Sequence, residues 1–242
     1  MNINTSIDQF APIDADLHAL HAGKDDWAKT TVTERIEVLQ KTKESLRATA
    51  EGWAHVAANQ KGLDPNEPLS GEEWITGPFP LMAMCNALSK TLYRMGNKAY
   101  LKHVKSRVLA TDQLAVKALP HSIWDHVLLS GMKAEIWMRP GVTQANLKDK
   151  AGRIYDVPLA ERTGKVSVIL GAGNIASIPP LDAFQKLFIE NEVVLLKMNP
   201  VNDYLTPFLQ NALKPLIDRD ALRIVTGGGD VGAYVCDHAL VD

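Results

Sequence analysis

The chain has 242 residues, 46% hydrophobic and 22% charged, with 26 basic side chains against 28 acidic ones. That length supports one large domain or two small ones around a sizeable core, and a net charge of −2 with ordinary apolar content excludes disorder as the dominant state. Balanced charge argues against nucleic acid as a partner. Cys85 and Cys236 are too few for a disulfide framework or a Cys-rich metal site. The polar N-terminus from Met1 to Phe10 and the lack of any long apolar run argue against a leader or a membrane span, so a cytoplasmic protein is expected.

The first half reads helical. Thr31 and Glu34 have capping-box spacing, in which each side chain satisfies the other's free backbone amide. Ile36, Leu39, Leu46, Trp53 and Val56 then recur at helical spacing, which predicts one amphipathic helix over 32–59. Asn59 to Gly71, with Pro65, Pro68 and two glycines, predicts a loop. Leu81 to Met95 and Asp112 to Leu129 predict two more helices, the first holding Cys85 among apolar neighbours. Asp25–Asp26 and Glu72–Glu73 read as helix-start charges rather than acid/base pairs. His121 and His126, five apart, do not share a helix face, so no metal site is expected there.

Near residue 130 the pattern changes. Lys133–Arg139 alternates loosely before the Pro140–Gly141 turn, Asn146–Arg153 suits an exposed hairpin tip, and Ile154–Leu159 fits a returning strand. Residues 132–160 therefore predict a protruding β-ribbon. Such a two-stranded projection leaves pairing edges open, so self-association through it is expected.

From Gly164 onward, strands and helices alternate. Val166–Leu170, Val193–Leu196 and Leu222–Val225 are short apolar strands. One helix face runs through Leu181, Phe184, Leu187 and Phe188, and another from Leu205 to Leu216, with Pro207 near its start and Pro215 near its end. A short helix follows Gly227–Gly229 and runs through Val235, with Cys236 on its apolar side. Three such units predict an α/β fold: a helical N-terminal half followed by a Rossmann-like parallel sheet and the ribbon. The expected division is 1–131, 132–160 and 161–242.

Ligands of such sheets bind beyond the carboxyl ends of the strands. Gly171–Asn174, Lys197–Pro200 and Gly227–Gly232 fall there. Gly171, Gly173 and Ala176 match G-x-G-x-x-A, which lets backbone and free helix amides approach a pyrophosphate. The second strand ends in Lys197-Met198-Asn199 rather than in an acid. A lysine there can donate to ribose hydroxyls and tolerates a 2′-phosphate, so either NAD or NADP is permitted, with Asn199 as a further contact.

The ordered set of Asn174, Val193–Lys197, Val225-Thr226-Gly227-Gly228-Gly229 and Val231-Gly232-Ala233, with Trp27–Thr30 and Glu34–Arg35 upstream, resembles the N-terminal, cofactor-binding half of the aldehyde dehydrogenase superfamily. The resemblance implies an oxyanion-stabilising amide at Asn174 and a ribose-binding ammonium at Lys197. It also implies backbone along the cofactor at Leu170, Gly171, Ala172, Gly229 and Gly232. Two departures stand out: Ala172-Gly173-Asn174 replaces the usual Pro-Trp-Asn, and Pro200 stands where a glutamate is common. They point to a divergent branch, such as one acting on acyl-CoA or acyl-phosphate substrates.

The function so implied is the NAD(P)-binding portion of an oxidoreductase acting on a small-molecule aldehyde or acyl group. Its nucleophilic thiolate is expected outside this chain, which would then not turn over alone. A short NADP-dependent dehydrogenase or reductase and a non-catalytic nucleotide-binding or assembly module are the alternatives. No metal, nucleic acid or membrane is expected to take part.

Overall fold

The structure, a computed structural model, describes residues 9–120 and 123–242; most of the polar N-terminus read for a leader, and His121 of the histidine pair, lie outside them. The chain divides into a larger unit, up to Tyr93 and again from Val157, and a smaller unit, Arg94–Asp156.

The larger unit opens with α1 (Ala11–Ala28), which buries Ile13, Leu17, Leu20, Trp27 and Ala28. Asp25 and Asp26 lie in its last turn, not at a helix start, and the Asp25 carboxylate accepts from the Gly164 amide at 2.7 Å. Helix α2 (Val32–Gln60) starts at the expected capping box. The Glu34 amide donates to the Thr31 hydroxyl at 3.2 Å, and the Thr31 amide donates to the Glu34 carboxylate at 2.8 Å. Its Val38, Leu39, Leu46, Trp53 and Ala57 are buried, a helical stripe facing the core. Short α3 (Gly71–Thr76) carries Glu72 and Glu73 in its first turn, and α4 (Pro78–Tyr93) packs against α2.

The smaller unit is built on an antiparallel sheet of β1 (Ser106–Val108), β2 (Leu114–Leu119) and β3 (Ala134–Trp137), in that order. No single helix spans 112–129. Asp112, at φ 60°, turns the chain from β1 into β2, and Leu114 pairs with Val108 while Val116 pairs with Ile136. Only the end of that stretch is helical, as α5 (Ile123–Leu128). The expected strand over 154–159 is also absent. Gly152, at φ 60°, and Pro158, which has no N–H to give a ladder, leave separate 3-10 turns at Arg153–Tyr155 and Leu159–Glu161. The ribbon is thus three-stranded, and its unit begins at Arg94 rather than at 132. Asn146–Arg153 is no hairpin tip: Lys148, Asp149, Lys150 and Arg153 are exposed as expected, but α6 (Leu147–Lys150) buries Leu147 with Leu114 and Val116, flanked by Val104, Met138 and Val142. The Lys98 ammonium donates to the Asp156 carboxylate at 2.6 Å and to the Lys148 carbonyl at 2.9 Å.

Back in the larger unit, β4 (Val166–Leu170), β5 (Val193–Lys197) and β6 (Leu222–Val225) form a parallel sheet in sequential order. The first crossover is α7 (Ile178–Phe184), continued by a π-helical turn over Gln185–Glu190. The second is α8 (Thr206–Ala212) and α9 (Lys214–Ile217), two helices where the sequence predicted one. The break at Leu213 follows from Pro215, which has no N–H for the preceding turn and serves in the first turn of a new helix. The last helix is α10 (Gly229–Cys236). Helix α1 lies along all three strands and β5 is buried at every position. Buried Arg35 ties α2 to α1 and to the end of the first crossover. Its guanidinium sits over the Trp27 ring and donates to the carbonyls of Trp27 and Leu187 and to the Asn191 side chain. The fold is α/β.

Candidate functional site

Parallel register brings the three strand ends into one row: Leu170 lies beside Lys197, and Lys197 beside Val225. The segments singled out by sequence, 171–174, 197–199 and 227–232, therefore leave the sheet from one edge. The Gly171 amide donates to the Lys197 carbonyl at 2.8 Å, which extends the ladder by one step. A Cβ at Gly171 would come within 3.1 Å of that carbonyl and 3.2 Å of Pro179, so the tight exit favours glycine. Leu170 and Asn174 are exposed, Ala172 and Gly173 are half-buried, and the Asn174 side-chain amide has no hydrogen-bond partner among the described residues.

Lys197 is only 7% exposed, yet its ammonium makes no hydrogen bond or ion pair with another described residue. Asn199 accepts from the Val201 amide at 3.1 Å, which caps a 3-10 turn over Pro200–Leu205. Its side chain also fills the space above Gly173, where a Cβ would meet it at 3.0 Å. Here Asn199 holds two loops together.

The pyrophosphate reading of Gly171, Gly173 and Ala176 needs correction. Seven residues separate the end of β4 from α7, and Ala176 lies in the turn before that helix. The Ile178 amide bonds to the Ile175 carbonyl, and Pro179 and Pro180 have no N–H. Three of the amides that would face an anion are therefore spent or missing. The N-terminus of α10 is different. Gly228 precedes it with no side-chain cap, Gly229 is its first residue, and nothing lies within 4 Å of a Cβ built on Gly229. Gly232 is buried one turn on, 3.8 Å from Leu170 by the same measure.

Three residues here escaped the sequence reading. The Asn202 side chain donates to the carbonyls of Ala172 and Gly173 at 3.3 and 3.2 Å, fixing the loop that carries Asn174. Asp203 Oδ1 and Thr206 Oγ1 are buried with no hydrogen-bond partner. Burial pushes the Asp203 carboxyl up, opposed by the nearby Lys197 charge, although no ion pair joins the two. Buried polar atoms of this kind need a partner. An unpaired ammonium with orphaned carboxylate and hydroxyl oxygens suits a group that both donates and accepts, as sugar hydroxyls do. For Asn202 the visible signal was its place, with Asn199, in the turn soon after the apolar run Val193–Leu196; Asp203 and Thr206 carried none.

Cys85 is buried in α4, and burial pushes its thiol up to about 12. Cys236 is exposed, contrary to the core position expected of it. Gly232 and Val235 occupy the inward positions of α10, and Cys236 falls one residue beyond them. No group of three or more metal-ligating side chains is assembled among the described residues. None of their helices is long and apolar enough to cross a membrane.

No family profile matches the chain, and no curated protein does. Thirty-four solved chains match it. One, from Anabaena variabilis and named "Putative Aldehyde Dehydrogenase PutA", aligns over 92% of this chain at 16% identity with a TM-score of 0.48. The present chain spans 36% of that chain's length.

Proposed function

We propose that the larger unit is the NAD(P)-binding portion of an aldehyde-dehydrogenase-like oxidoreductase acting on an aldehyde or acyl group. The observation that carries this reading is the row of strand ends at which buried, unpaired Lys197 stands, its charge reaching Asp203, whose Oδ1 is orphaned as is Thr206 Oγ1 three residues on. Lys197 and these oxygens would hold a ribose of the cofactor, and the open start of α10 at Gly229 would pass along it. The dinucleotide, when bound, supplies a hydride acceptor. Asn174 donates its free amide to the oxyanion that forms when a carbonyl is attacked, and Asn202 holds that loop in place. The attacking thiolate comes from elsewhere: Cys85 is buried and protonated, and Cys236 closes α10 at the end away from the strand edge. A short dehydrogenase of plain dinucleotide-binding type is disfavoured by the prolines that open α7. Self-association through the smaller unit belongs to the same proposal.

Calorimetric titration of the purified chain with NAD and NADP tests it. Binding of at least one is expected, weakened by roughly 1–2 kcal/mol in Lys197→Ala if the ammonium donates a charge-assisted hydrogen bond. Absence of binding for both, in a folded chain, rejects the reading.

A further inference from the structure

The overall charge balance conceals a segregation. Residues 94–156 carry eleven Lys and Arg against five Asp and Glu, and the rest of the chain carries fifteen against twenty-three. Within the smaller unit, Arg94, His103, Lys105, Lys117 and His126 line one cavity of about 360 Å³, with Tyr100 as an aromatic wall. No carboxylate among the described residues lines it.

Neighbouring acids are committed elsewhere or stand off the cavity. Asp156, whose charge reaches Tyr100, is held by Lys98 at 2.6 Å. Glu135 is held by both nitrogens of the Arg107 fork, at 2.8 and 2.9 Å. Asp125 precedes His126 on α5 and does not line the cavity. Arg94, Lys105 and Lys117 have no ion-pair partner among the described residues. Backbone pairing makes this worse, because the Lys117 amide donates to the Lys105 carbonyl at 2.8 Å and so sets two lysines side by side. Like charges on adjacent strands oppose folding. The same small sheet neutralises Arg107 with Glu135, so the lack of ion pairs at Arg94, Lys105 and Lys117 is not a general property of it.

We propose that this cavity is a binding site for a small molecule bearing phosphoryl groups, separate from the strand-edge site of the larger unit. Three permanent cations supply point charges and a guanidinium fork, and two histidines add ring nitrogens that can donate, the combination that suits a dianionic or more highly charged oxyanion. A volume near the lower end of the ~300–1,000 Å³ typical of ligand pockets limits the ligand to metabolite size. Tyr100 and Val104 offer an apolar wall for its carbon skeleton.

Inorganic pyrophosphate is the probe, titrated calorimetrically into the whole chain at fixed ionic strength. One saturable site per chain is expected. Arg94→Gln and Lys117→Gln should each weaken it about tenfold, while Lys150→Gln, on α6 and outside the cavity, and Lys197→Ala, at the strand edge, should leave it within twofold. Melting curves on each variant confirm that it is folded. Lack of saturable binding overturns the proposal. So does equal weakening by Lys150→Gln, which marks diffuse charge, or loss in Lys197→Ala alone, which moves the anion to the strand edge. Tighter binding of a DNA duplex, weakened alike by all the smaller unit's variants, would make the face a nucleic-acid surface and overturn it as well.

Discussion

Gly227 shows how much one residue can decide. Its φ of 143° is open to glycine alone, and a Cβ there would lie 2.4 Å from Val231 Cγ2 in the first turn of α10. Gly232, in the same helix, has room for a methyl group, the nearest atom being Leu170 Cδ2 at 3.8 Å. Gly227→Ala should therefore cost roughly 2–3 kcal/mol in urea unfolding, from backbone strain and the displaced valine. Gly232→Ala should cost little or stabilise slightly, since a helix interior favours alanine. Equal effects would mean that the turn entering α10 is not held as described. The two glycines look alike in the sequence, and only the backbone angle separates them.

Among the elements, α2 owes its start to the capping box. The Thr31 hydroxyl, and then its amide, hold the Glu34 carboxyl below its ordinary range. A group whose folded value is depressed contributes stability above its unfolded value and loses it as pH falls through the folded one. Thr31→Ala should cost about 1 kcal/mol at neutral pH. The stability difference between the wild type and Glu34→Gln should shrink as pH falls below ~4, where both side chains are neutral. A difference that persists at pH 3 would show that the carboxylate charge is not what matters. This helix was legible because its cap and its apolar period agree. Helix α1 was not, since Phe10 provides no side-chain cap and Lys24 breaks the stripe of Ile13, Leu17, Leu20 and Trp27. Leu114–Leu119 misled for another reason: a short apolar run fits helix or strand equally, and pairing on both sides decided it. The strand ends and their glycines could be read directly, as could Lys197. Asp203 and Thr206 could not, because burial without a partner is a property of packing and leaves no mark in composition.

Across the whole molecule, the two units differ in how much they bury. In the smaller one, Ile123, Trp124, Val127, Leu128, Met132, Ile136 and Trp137 are all exposed, and α5 buries none of its residues. A helix of six residues has no stability of its own in water. Together these side chains offer surface of the order of the ~800 Å² per partner that a specific interface covers, and no described strand pairs with the outer edge of β3. The proposed self-association therefore shifts from 132–160 towards 123–137. Sedimentation velocity should show a dimer or larger species at micromolar concentration, and Trp124→Glu with Trp137→Glu should return it to monomer. A wild type that stays monomeric throughout would exclude this face as the contact. The Lys98–Asp156 bond bears on the architecture in another way. It draws together two residues 58 positions apart, each close to one of the points where the smaller unit leaves the larger. An insertion whose ends meet can be excised and bridged by a short flexible linker without stretching its host. A chain in which a few glycines and serines join Tyr93 to Val157 should still melt cooperatively and keep whatever dinucleotide affinity the full chain has, so that the segment behaves as a detachable cassette carried by the parallel sheet.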